Sequence, residues 1–118
     1  MIYKKLVRDK IPEIIGRRGD KPVIRVLDVD SYKLELRRKL QEEISEFVES
    51  GQVEELVDIL EIIYSLASVE GINRSRLEGM RREKRKERGG FDERIFLVKT
   101  TSGDSNSAKQ ANRKSTKA

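Results

Sequence analysis

Apolar residues recur at helical spacing in four stretches of this chain. Ile11, Ile14 and Ile15 share one side of a helix predicted over residues 8–17, with Pro12 in its first turn and Gly16 or Gly19 as its stop. Leu36, Leu40, Ile44, Phe47 and Val48 form the stripe of a second helix. It starts after Asp30 or Ser31, either of which can cap it, and ends at Gly51. The third, over residues 52–70, is apolar on most sides and is expected to be the central core helix, with Gly71 terminating it. The fourth, over 74–88, has only Leu77 and Met80 as a weak apolar side and stops at Gly89-Gly90. Of two short runs rich in β-branched or aromatic residues, 23–27 reads as a strand or extended segment and 94–98 as a second short strand, which could pair with the first or with residues 3–7. The pattern predicts a mainly all-α fold: an antiparallel bundle of about four helices with one or two short peripheral strands.

Composition narrows the chemistry. With 118 residues the chain suffices for one domain, and at 36% hydrophobic against 40% charged the core must come from a few patterned segments. There is no cysteine and no histidine, which removes disulfides, thiolate metal sites, a cysteine nucleophile and the commonest general base. Proton or metal chemistry must use carboxylates, Lys, Tyr or hydroxyls. No apolar run approaches membrane-spanning length and the first residues lack a signal-peptide stretch, so the expectation is a soluble, cytoplasmic protein with no membrane partner. The domain is expected over residues 1–98. Residues 99–118, polar and net +4, read as a disordered basic tail, a solubilising arm before a nucleic-acid contact.

The net charge of +5 is unevenly distributed. Residues 40–73 hold nine acids and not one Lys or Arg, whereas residues 1–39 carry +6 and residues 74–98 carry +4. A solvated helix face would intersperse the signs for i,i+4 pairing. Within the anionic block, Glu42, Glu43 and Glu46 lie on the second helix and Glu55 and Asp58 on the third. Glu43 and Glu46 sit one turn apart, as do Glu55 and Asp58, and Glu43 falls at the edge of the apolar stripe. The turn 49–52 is so tight that the two helices must be antiparallel neighbours, so both pairs can converge at one edge of their interface. Either pair alone is commonly a solvated face. Together, on core-proximal sides and with no basic partner between them, they call for a counter-charge, and a hard divalent cation supplies it: Mg²⁺, with Mn²⁺ as the substitute.

These residues also resemble a known family, the MazG-like all-α nucleoside triphosphate pyrophosphatases, whose signature is Glu-Glu-x-x-Glu on one helix and Glu-x-x-Asp on the next. Lys5-Leu6-Val7-Arg8-Asp9-Lys10-Ile11-Pro12 and Glu87-Arg88-Gly89-Gly90-Phe91 are similar to one branch, the house-cleaning pyrophosphatases related to phosphoribosyl-ATP pyrophosphohydrolase. The resemblance covers residues 2–97. Eight residues separate Glu46 from Glu55, fewer than in the family by roughly one helical turn, which leaves the facing direction nearly unchanged.

The resemblance implies hydrolysis between the α- and β-phosphates of a nucleoside triphosphate, canonical or not, releasing the monophosphate and pyrophosphate. Glu43, Glu46, Glu55 and Asp58 would hold Mg²⁺. Glu42 would serve a second ion or orient water, and Glu42 and Glu43 would act in catalysis. Lys5, Arg8 and Lys10 on one flank and Lys84 and Arg88 on the other are candidates for the substrate phosphates, each equally readable as a surface charge. Asp9 is expected to cap the first helix, Phe47 to lie in the core, and Gly89-Gly90 to act as a helix stop and turn. The apolar third helix is hard to cover in so short a chain, so a homodimer or higher homo-oligomer is expected. Three alternatives stand beside this reading. They are a phosphoribosyl-ATP pyrophosphohydrolase-like activity, a helical interaction module with surface acids, and a nucleic-acid-associated protein acting through the basic tail.

Overall fold

The structure, a computed structural model, describes residues 3–103; most of the predicted basic tail lies outside the described residues. The elements are α1 (Ile11–Arg17), α2 (Val29–Ser50), α3 (Val53–Val69) and α4 (Arg74–Arg88). The described residues divide into two compact units, with the boundary between Glu83 and Lys84. No helix among the described residues is long and apolar enough to cross a membrane.

Helix ends follow from local chemistry, not always at the residue expected. Asp28, rather than Asp30 or Ser31, caps α2: its carboxylate accepts from the Ser31 N–H at 2.8 Å. At α1 the cap position is Lys10, with no side-chain bond to the helix, so Asp9 does not cap it. Gly51 ends α2 at φ +67°, donating to the Phe47 carbonyl at 2.8 Å. Gly71 (φ +79°) donates to Ser68 O at 2.9 Å and Ile72 to Ala67 O at 2.9 Å, the paired bonds of a Schellman stop for α3. Asn73 Oδ1 accepts from the Arg76 N–H at 2.8 Å and opens α4.

In the first unit α2 packs on α3. Only Gly51 and Gln52 separate them, and Lys33, near the start of α2, reaches Glu70 past the end of α3 at 3.4 Å, as an antiparallel hairpin requires. Leu36 and Ile62 are the buried apolar residues of this interface. The rest of the expected bundle does not assemble around it: among the described residues, α2 on α3 is the pair of helices that packs. Phe47 is half-buried rather than core. Helix α3 also departs from its expected central place, because Leu56, Val57, Leu60 and Ile63 stay 37–60% exposed. Its apolar residues point several ways, and one neighbour covers one side.

Neither of the two runs forms a strand among the described residues; the extended-segment alternative stands for 23–27. Residues 23–27 and 94–98 have no regular structure, and Val23, Val26, Ile95 and Phe96 are each more than 85% exposed. A strand needs a laddered partner to satisfy its backbone groups, and β-branched composition alone does not provide one.

Candidate metal centre

From Leu36 onward the apolar and acidic residues of α2 that are withdrawn from solvent are Leu36, Leu40, Glu43 and Phe47, at spacings of four, three and four. This is the repeat of a buried helical stripe, with a carboxylate at one of its positions. Glu43 therefore lies inside the stripe rather than at its edge, and only 7% of it is exposed. Opposite, Glu55, Asp58 and Ile62 recur every three to four residues on α3, and both acids are half-buried. The hairpin brings the two sets together. Glu43, Glu55 and Asp58 offer carboxylate oxygens within 4.8 Å of one another, and so do Glu42, Glu43 and Glu46.

The four expected ligands thus fall into two overlapping groups that share Glu43. Glu46 stands with Glu42 and Glu43 on α2, while Glu55 and Asp58 meet Glu43 across the interface. The short α2–α3 connection does not prevent this convergence, since the facing direction is set by the helical repeat on each side of the turn.

Electrostatics mark Glu43 as the pivot. Burial, followed by the neighbouring Glu46 charge, pushes its carboxyl from 4.5 up to about 6. Hydrogen bonding to Glu46 and the Asp58 charge act in the same sense, and Lys39 opposes them. Its Oε2 is buried without a hydrogen-bond partner. A buried carboxylate oxygen that finds no donor is costly, so this atom needs a proton or a cation.

Two cations stand beside the cluster, both from outside the stretch 40–73, which itself holds no Lys or Arg. Lys39, one turn before Glu42 and Glu43, has Nζ 3.6 Å from a carboxylate oxygen of each and is itself 22% exposed. Its signal was present in the i,i+3 and i,i+4 spacing, just outside the anionic stretch. Arg8 lies 50 residues from Asp58 in sequence and pairs with it at 2.6 Å; no local pattern announces that contact.

The other phosphate candidates are placed differently. Lys5 sits 5.6 Å from the centre of the Tyr3 ring, and Lys10 is exposed at the start of α1. Lys84 and Arg88 belong to the second unit, exposed on the last turns of α4. Gly89 takes φ +84° and donates to Arg85 O at 2.7 Å, which makes it a helix stop. An open concavity of about 320 Å³, lined by Glu61, Tyr64, Ser65, Ser68, Ile72, Asn73 and Arg74, contains none of the clustered acids. Its Tyr64 ring is already covered by the Arg74 guanidinium at 4.7 Å.

Fold and site together define a helical hairpin with a carboxylate cluster embedded in its interface. An uncharacterized protein of Mycolicibacterium smegmatis (strain ATCC 700084 / mc(2)155) is 52% identical to the chain over 42 residues, 36% of this chain and 43% of that relative. The match therefore spans less than half of either protein. No protein-family model matches the chain, and no solved structure matches it.

Proposed function

We propose that this protein is a Mg²⁺-dependent nucleotide pyrophosphohydrolase of the MazG-like kind, cleaving a nucleoside triphosphate, canonical or modified, to the monophosphate and pyrophosphate. The observation that carries the reading is the buried, unpartnered Oε2 of Glu43 at the junction of two carboxylate groups drawn from both helices. An exposed acidic face needs no such atom. The donor set is all carboxylate oxygen, which suits Mg²⁺, with Mn²⁺ as substitute.

A divalent cation bound here would neutralise phosphate charge and activate water for in-line attack. Glu43, Glu55 and Asp58 would hold it from the two helices, with Glu46 beside Glu43. Glu42, outside the cross-helix group, is available to orient the attacking water or to accept its proton, and no histidine competes for that role. Lys5, Arg8 and Lys10 are the cations of the first unit available to the triphosphate. Such a substrate is cytoplasmic, and so, on this reading, is the enzyme.

The same reading includes a homodimer. The uncovered side of α3, formed by Leu56, Val57, Leu60 and Ile63, is the surface that supports it. The test is pyrophosphate release from a panel of canonical, deoxy and modified nucleoside triphosphates and phosphoribosyl-ATP with Mg²⁺, using Glu46→Gln as control. Release abolished by the substitution upholds the proposal. Silence across the panel, with no Mg²⁺-induced stabilisation, refutes it and leaves a helical interaction module.

A further inference from the structure

The Arg8–Asp58 pair joins the carboxylate cluster to a segment that is neither helix nor strand. Residues 3–8 precede α1 without regular structure, and the Arg8 Nη2 atom meets Asp58 Oδ1 at 2.6 Å. Asp58 also offers a ligand atom to the group it forms with Glu43 and Glu55. The side chains of Arg8 and Asp58 are 54% and 41% exposed, so the pair is an exposed one, weakened by solvent screening. A guanidinium in such a weak contact competes with a doubly charged cation for the Asp58 carboxylate, and two cations on one carboxylate repel.

We propose that Arg8 is an exchangeable counter-ion of the metal centre. In the metal-free protein it neutralises Asp58. A divalent cation displaces it from the Asp58 carboxylate, and the freed guanidinium, with the segment that carries it, becomes available to a phosphate-bearing ligand. This rests on the metal-centre reading above and adds to it an order of events: the cation takes Asp58 first, and the freed Arg8 then turns its full set of donors to the phosphate. Lys39 differs, because it contacts Glu42 and Glu43 from one turn away on the same helix and carries no separate segment with it.

The experiment is Mn²⁺ binding, read as free Mn²⁺ by electron paramagnetic resonance, on the full chain and its Arg8→Ala, Arg8→Lys and Arg17→Ala variants. Arg17 pairs with Glu13 on α1, so its removal controls for the loss of one positive charge. Removing the competitor should tighten Mn²⁺ binding by about two- to fivefold in Arg8→Ala, with less change in the other two. Tryptic cleavage after Lys5 supplies the structural readout. Mn²⁺ should accelerate it in the wild type, whereas in Arg8→Ala it should already be fast and insensitive to the metal. Equal or weaker Mn²⁺ binding by Arg8→Ala, or cleavage unchanged or slowed by Mn²⁺ in the wild type, would overturn the exchange while leaving the metal centre standing. Absence of Mn²⁺ binding in the wild type would remove the metal centre and the exchange together.

Discussion

Replacing Glu43 with Gln isolates the electrostatic stress at the centre of the site. In the folded, metal-free protein its carboxyl titrates at about 6 rather than 4.5. A group whose folded value is raised favours the protonated native state. Its contribution to stability is complete below pH 4.5 and is lost as pH rises through about 6. The shift corresponds to about 2 kcal/mol when integrated across that window. Gln has nearly the shape of the protonated acid and never ionises, so the variant escapes the loss. The expected result, from urea unfolding in EDTA, is near-equal stability at pH 4. At pH 7.5 the variant should be more stable by up to about 2 kcal/mol, with most of the divergence between pH 4.5 and 6. Mg²⁺ should then stabilise the wild type and leave the variant almost unmoved, because the orphaned oxygen that wants a cation is gone. A difference between the two proteins that stays flat with pH, or a variant less stable at pH 7.5, would refute the placement of Glu43 inside the α2–α3 interface.

Other outcomes follow from the same structure. Lys39→Met should push the Glu43 titration higher, because Lys39 is the charge that opposes the rise; carboxyl NMR resonances would follow it. Leu36→Ala, at the most buried apolar position of the hairpin, should cost about 2–4 kcal/mol in denaturant unfolding. Gly71→Ala should cost about 1 kcal/mol because φ is +79° there with open space around the position. Gly79→Ala, inside α4 and also in open space, should gain about 0.5–1 kcal/mol. Leu60→Glu, on the uncovered side of α3, should lower the mass seen by sedimentation equilibrium if that side is a dimer surface; an unchanged mass would exclude it.

Local information settled much of this protein. The i,i+3 and i,i+4 repeats and the Gly stops marked all four helices, and the bounds of α4 followed directly from its charge-rich run and Gly89. The carboxylate pairs were legible because helical geometry converts a spacing of three into one face, and a two-residue connection forces the faces toward each other. Other features depended on distant partners. Residues 23–27 and 94–98 had the composition of strands and found no ladder, since pairing is a property of two segments and not of one. Glu43 could be seen near a stripe, but its exclusion from water needed α3 laid across it. The cation at Asp58 came from a residue 50 positions away. Spacing along a helix fixes which side chains share a face; only packing decides how much water reaches them and which distant charge arrives to meet them.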